Sequence, residues 1–439
     1  MGHSGVAGAV AIVLVLAFAL GGCGSSGESP GTASGTSTGG GDAGAAKLTV
    51  VHGAPVAPTD EPQSDASAVD GYASAMASSG AILAAGTATG VYTLAAQGNT
   101  LLEIVGDEPD LPTETGAVRA MVPYHQGLLV AAEQGVFFTD GSALQLSLAA
   151  ATLAPLGITA MTARIAPADD GGPGATHLAV LAADGAHEID DTQMVKWTVD
   201  GESGVPTAVL AQSDRVFLSF GARTYEIDKA AKKAHLVPFQ LGTVHEIACS
   251  SLACGEGSLL YFASDAGLVE RAADGTYALY PLAAEGAPAV PVETFALDAV
   301  RQRLYALAGG SVLRVQAGAI PAAVATVGPA THARRMAVDA AGDAWIGDGL
   351  AVHHLALGTP LSFVTDVRPI FHEYCAECHA SGTQGAPVRD YESYDVAVAR
   401  IDAVLMRVSQ GTMPPLTYGK KLPKEKIEIL QDWAVTKAP

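Results

Sequence analysis

The chain has 439 residues, a length that accommodates two or three domains. Apolar residues make up 49% of it but aromatic ones only 6%, so any core must be built largely from alanine and small aliphatics. A net charge of −21 counts against nucleic acid as a partner, because a polyanion would be repelled. The charge is uneven. From Asp366 to Pro439 nine basic residues face ten acidic ones, so the C-terminal stretch is nearly neutral and the acidic excess lies before it.

Val6 to Leu20 is an apolar run too short for a comfortable membrane span, and it reads as an export signal. It ends in Leu20-Gly21-Gly22-Cys23, which resembles the bacterial lipobox. That resemblance implies cleavage before Cys23, a lipid on Cys23 and attachment of the exported protein to a membrane. The segment departs from the lipoprotein type in that Met1 to Gly5 holds no Lys or Arg. The alternative is a plain secretory signal. Residues 24–46 are rich in Gly, Ser and Thr and read as a flexible tether.

Between Lys47 and Gly358 a loose unit recurs seven times: a short apolar strand, a turn, a second apolar strand, a Gly-rich turn and a third strand. One unit runs through Val118-Arg-Ala-Met-Val, Gly127-Leu-Leu-Val-Ala-Ala and Gly135-Val-Phe-Phe-Thr. Another runs through Glu293-Thr-Phe-Ala-Leu, Arg303-Leu-Tyr-Ala-Leu-Ala and Ser311-Val-Leu-Arg-Val. The repeat of roughly 40–48 residues is that of β-propeller blades. A four-stranded sheet cannot bury both faces alone, whereas stacking sheets around an axis does so. The expected fold is therefore an all-β, seven-bladed propeller over residues 47–360. Leu48-Thr-Val-Val-His is expected to supply the outer strand of the seventh blade and so remove an open edge. By period alone the stretch resembles the diverse propellers of the YVTN or sugar-lactonase kind. A ring of six or eight blades, or a pair of β-sandwiches, is the alternative.

Within this stretch stands Cys249-Ser-Ser-Leu-Ala-Cys254. An exported chain meets an oxidising compartment, so a Cys249–Cys254 disulfide is expected, with two free buried thiols as the alternative. His353 and His354 are adjacent in a strand, where neighbours face opposite ways, so they do not suggest a shared metal.

Near the C-terminus stands Cys375-Ala376-Glu377-Cys378-His379, the Cys-x-x-Cys-His attachment site of a c-type haem. Two thiols add across the two vinyl groups of the haem, and the histidine that follows lies under the iron. Upstream, Val367, Ile370, Phe371 and Tyr374 recur at helical spacing, with Asp366 expected to cap the first turn and Pro369 tolerated there. Downstream, Val398, Ile401, Leu405 and Val408 mark a helix that Gly411 ends, and Ile427, Leu430, Trp433 and Ala434 mark another after Pro423. Gly411-Thr-Met413-Pro-Pro lies between these two helices.

Residues 361–439 thus resemble a small, all-α class I cytochrome c, in a resemblance that covers about 75 residues. It implies one covalently bound haem c, held by Cys375 and Cys378, with His379 and Met413 as the axial iron ligands. A thioether is a soft ligand, and His/Met ligation raises the reduction potential. Met406 is the competing sulfur and reads as core. His372 reads as a solvated residue, and Arg389, Tyr391 and Tyr394 as surface groups or partners of the haem propionates.

With both axial positions filled, the simplest activity is one-electron transfer, and the chain is expected to be a membrane-anchored carrier on the periplasmic side or cell surface. Its partner would be another redox protein. Lys420, Lys421, Lys424 and Lys426 could steer an acidic partner or dock on the acidic propeller, or merely form a solvated helix start. Two other readings stand beside the carrier: a propeller that oxidises a substrate and feeds its own haem, and a ligand-sensing propeller. Against the first of these, the chain has only three Trp and lacks the Trp-rich blades of quinone-binding propellers.

Overall fold

The computed structural model describes residues 47–55, 64–68, 75–79, 82–87, 91–94, 101–104, 117–124, 127–140, 144–146, 157–165, 176–189, 194–298, 301–327, 334–348, 351–355, 357, 361–380, 390–415 and 419–436. Cys23 and the expected signal and tether lie outside the described residues.

The middle of the chain is a β-propeller. Among the described residues its strands form seven sheets, and each innermost strand is the first apolar segment of a sequence unit. In chain order these inner strands are Ala75–Ser79, Val118–Tyr124, Ala160–Ile165, Ala208–Ala211, Val244–Cys249, Val292–Asp298 and Arg334–Val338. Each pairs antiparallel with the strand that follows it. Every inner strand also touches those of the sheets before and after it, and the seventh touches the first.

The core is divided accordingly. Each groove between neighbouring sheets holds its own apolar cluster. One of these joins Met76, Leu83 and Ala85 of the first sheet to Ala337, Trp345 and Val352 of the seventh. Small residues let the sheets approach closely: Ala84, Ala85, Ala263 and Ala306 are all fully buried. The tight second turns need glycine. Gly267 has a φ of +116°, and a Cβ there would lie 2.2 Å from the Tyr280 carbonyl oxygen, which excludes any side chain.

Ring closure differs from the expectation. The outer strand of the seventh sheet is Ser64–Ala68, paired antiparallel with Ala351–Leu355. Leu48–Val50 instead runs parallel to Tyr277–Tyr280 and makes the fifth sheet five-stranded. There Leu48 packs against the cluster shared by the fourth and fifth sheets. Leu48 thus gains apolar contact at the fifth sheet, while the polar Ser-Asp-Ala-Ser-Ala segment forms the outer strand of the seventh.

After the seventh sheet comes a helical unit. Phe363–Val367 is a π-helical turn, followed by α1 (Arg368–Tyr374), α2 (Ala376–His379), α3 (Tyr394–Ser409) and α4 (Lys424–Thr436). Ser362, not Asp366, is the N-cap: its hydroxyl accepts from the Val364 N–H, and the Asp366 carboxylate reaches back to the Ser362 N–H at 2.8 Å. This reciprocal arrangement resembles a capping box and satisfies two donors at once. One apolar core unites the unit, with Val367, Phe371, Ile401, Leu430 and Trp433 fully or almost fully buried. Trp433 lies against Phe363, at 5.5 Å between ring centroids, and against Tyr394 at 6.3 Å. The last helix is thereby packed on the first turns of the unit.

Candidate functional site

Cys375 ends α1, and its carbonyl accepts from the N–H groups of both Cys378 and His379, at 3.2 and 2.9 Å. One helical turn therefore presents both thiols and the imidazole from adjacent positions. A second segment is positioned by the end of α3. Gly411 adopts a φ of +66° with open space around its Cα, the left-handed conformation that ends a helix. The Arg407 carbonyl then accepts from the N–H groups of Thr412 and Met413 and from the Thr412 hydroxyl, which ties the Met413-Pro414-Pro415 loop to the helix.

These two segments line one cavity of about 560 Å³, to which Cys375, Cys378, His379 and Met413 all contribute. Its apolar wall comes from Val404, Val408 and Leu422. Burial in that wall, with some repulsion from Cys378, pushes the Cys375 thiol up to about 12. The Tyr391 ring also lines the cavity, 5.2 Å from the His379 ring and stacked 5.5 Å from Phe371.

Several expected assignments change. Met406 is not core: it is 37% exposed, as Met413 is, and its side chain borders the same cavity. Leu405 and Val408 pack in the core, while Met406 and Arg407 between them are exposed. Tyr394 belongs to the aromatic core with Phe363 and Trp433, away from the cavity. Arg389 lies outside the described residues. Two arginines that sequence reasoning passed over, Arg400 and Arg407, do line the cavity. Their spacing of seven on one helix was the available signal. His372 is 74% exposed and pairs with Glu392 at 2.8 Å.

The contact between the helical unit and the propeller also differs from the expectation. Its polarity is the reverse of a lysine rim docking on an acidic body: the propeller supplies arginines and α4 supplies carboxylates. Arg303 Nη1 lies 2.7 Å from Asp432 Oδ1, Arg301 Nε lies 3.8 Å from the same oxygen, and Arg314 Nη2 lies 2.5 Å from Glu428 Oε2. All three arginines belong to the sixth sheet or the turn between its first two strands. Among the lysines, Lys420 donates to the Glu373 carbonyl at 3.4 Å and Lys421 is exposed.

Elsewhere, Cys249 and Cys254 are joined as a disulfide, with Cα atoms 5.6 Å apart. His354 is not isolated: Asp339, Asp343 and His354 bring their ligand atoms within 4.8 Å of one another. The hairpin register that sets Trp345 opposite His354 brings this group together, and sequence spacing alone concealed it. Asp339 already accepts from Trp345 Nε1 at 2.8 Å, and His354 pairs with Asp343 at 3.2 Å.

No family model matches the sequence. No curated protein matches it either. Among solved structures, the extracellular domain of the one-component system BT4673 from B. thetaiotaomicron is similar at 10% identity, with a TM-score of 0.49, over 70% of this chain and 42% of that one. PorZ, a bacterial surface component of the type-IX secretion system of Porphyromonas gingivalis, is similar at 10% identity and a TM-score of 0.46, over 67% of this chain and 38% of that one. The chain thus spans less than half the length of either. U3-55K is similar at 10% identity and a TM-score of 0.48, over 66% of this chain and 98% of that one. No helix among the described residues is long and apolar enough to cross a membrane.

Proposed function

We propose that the chain is an exported, lipid-anchored, mono-haem c-type cytochrome that transfers one electron at a time to or from a redox partner protein, with the propeller as scaffold or docking domain. The observation that carries this reading is the shared cavity: Cys375, Cys378 and His379 line the same space as Met413, which comes from a separate segment. The donor set fits a haem. Each thiol can add across one vinyl group, sulfur to one carbon and hydrogen to the other, with no net oxidation. The imidazole and the thioether are the two axial donors of a His/Met site.

When bound, the group supplies an iron that cycles between two oxidation states. The chain's residues do the rest. Cys375 and Cys378 would hold it covalently, and His379 is oriented by its packing against Tyr391. The Arg407 carbonyl anchors the loop that carries Met413. Val404, Val408 and Leu422 exclude water, and a low-dielectric wall favours the less charged iron state, as the thioether does. With His379 and Met413 both available as donors, the chain's own residues would favour electron transfer over chemistry that needs a free iron site.

We read each of the seven sheets as one blade, supported by the closed cycle of inner-strand contacts and the apolar cluster in every groove. Membrane anchoring rests on Cys23 and its lipobox-like setting. It is checked by membrane fractionation of Cys23→Ser, which should move the protein into the soluble fraction.

The decisive test of the haem reading is the absorption spectrum of the purified protein with a redox titration. A covalent haem with the charge-transfer band of sulfur-to-iron ligation is expected. Met413→Ala should abolish that band and lower the potential while the haem stays attached, and Met406→Ala should leave both unchanged. The opposite result for the two methionines would reassign the axial ligand, and the absence of covalent haem would overturn the proposal.

A further inference from the structure

A second cavity lies on the propeller axis, with a volume of about 160 Å³ and lining residues from all seven inner strands. Strand register makes one position in each inner strand equivalent, the residue just before the one that packs towards the preceding sheet. In the first four sheets this position is alanine: Ala75, Ala120, Ala160 and Ala208. In the last three it is Glu246, Thr294 and Arg335. All seven line the cavity, so a polar sector faces an alanine sector across the axis.

Glu246 is the unusual member. Its Oε2 accepts from the Thr294 hydroxyl at 2.7 Å and from the Phe295 N–H at 3.3 Å, with no ion pair among the described residues. Burial raises its pKa, against the Thr294 hydrogen bond and the charge of Arg335. A carboxyl group in such a place is costly, and four equivalent alanines show that the ring closes without one. The two arginines at the mouth, Arg119 and Arg335, are exposed and form no ion pair among the described residues; Arg335 donates only to the Arg334 carbonyl, at 3.0 Å. The other charged lining groups are already engaged, Glu293 by Arg334 and His245 by Asp265. What is left uncommitted is guanidinium at the rim and a carboxyl acceptor inside.

We propose that this axial pocket binds a small organic anion that also carries a hydrogen-bond donor, of the hydroxy-acid or amino-acid class. Its carboxylate meets Arg335 and Arg119, and its hydroxyl or ammonium reaches Glu246. Guanidinium forks match carboxylates, and the small volume excludes larger ligands. This inference does not depend on the haem reading.

The test is calorimetric titration of the detergent-solubilised full-length protein at pH 7 with succinate, malate and aspartate, three acids that differ by no donor, a hydroxyl and an ammonium. Malate or aspartate should bind at least tenfold more tightly than succinate, and the tighter of the two identifies the donor. Arg335→Gln, at an exposed position that leaves the sheet intact, should weaken binding at least tenfold. Glu246→Gln should bring the preferred acid closer to succinate. Equal affinity for all three acids, unchanged binding in Arg335→Gln or no saturable heat with any of them would overturn the proposal.

Discussion

The propeller and the helical unit solve the same burial problem in opposite ways. The propeller spreads its apolar residues over one cluster per groove, so each sheet is held on both sides and no single cluster carries the whole. The helical unit has one core, and beside it a cavity of about 560 Å³. The difference teaches that the propeller closes its grooves with its own residues, whereas the helical unit leaves beside its core a cavity lined by Cys375, Cys378, His379 and Met413.

The sharpest way to break this comparison is Cys375→Ser with Cys378→Ser. Loss of the proposed covalent haem should remove most of the helical signal in circular dichroism and expose α3 and α4 to protease, while the propeller keeps its β signal and its melting transition. A haem-stained denaturing gel confirms that the group is gone. If both parts lose structure together, the propeller is not self-sufficient and the contrast fails.

A smaller effect is expected from Cys249→Ser with Cys254→Ser. The bond closes a short loop between the first two strands of the fifth sheet, and Cys254 sits at a φ of +41°, a conformation that non-glycine residues rarely adopt. Chain entropy for so short a loop gives about 2 kcal/mol. Both cysteines belong to the cluster shared by the fourth and fifth sheets, so the loss should be confined there. Chemical denaturation with and without reductant measures it. The wild type under reductant should match the variant.

The same contrast governs what could be read from sequence. The propeller was legible because its strands repeat: the inner strand of every sheet falls on or within two residues of an expected first strand. Its closure was not legible, because Leu48–Val50 and Ser64–Ala68 are both short and edge pairing depends on which edge is apolar. In the helical unit the Cys-x-x-Cys-His spacing and the glycine before Met413 marked the two segments that share the cavity. Arg400 and Arg407 were missed, and Met406 was read as core, because a helix with apolar residues at 401, 404, 405 and 408 does not announce which of its remaining positions turn towards an opening. The charges of α4 were missed for a different reason. Glu428 and Asp432 read as a solvated helix face until the propeller is placed beside them.

That junction offers the smallest effect and a direct test of how the two parts are held. Among the described residues no apolar cluster spans it; the sixth sheet and α4 meet through Arg301, Arg303 and Arg314 against Asp432 and Glu428. Partly exposed pairs contribute about 0–1 kcal/mol each, and salt screens them. Asp432→Lys replaces attraction by repulsion at two arginines, while its neighbour Trp433 stays in the helical core. Protease cleavage between the seventh sheet and the π-helical turn should quicken in Asp432→Lys, and 1 M salt should quicken it in the wild type. Neither change should alter the melting of the propeller. The reversed pair, Arg303→Asp with Asp432→Arg, should restore protection at low salt, since the attraction depends on opposite sign and not on which part carries which charge. If cleavage is indifferent to salt and to Asp432→Lys, the ion pairs do not hold the junction, and the two parts are joined by the chain alone.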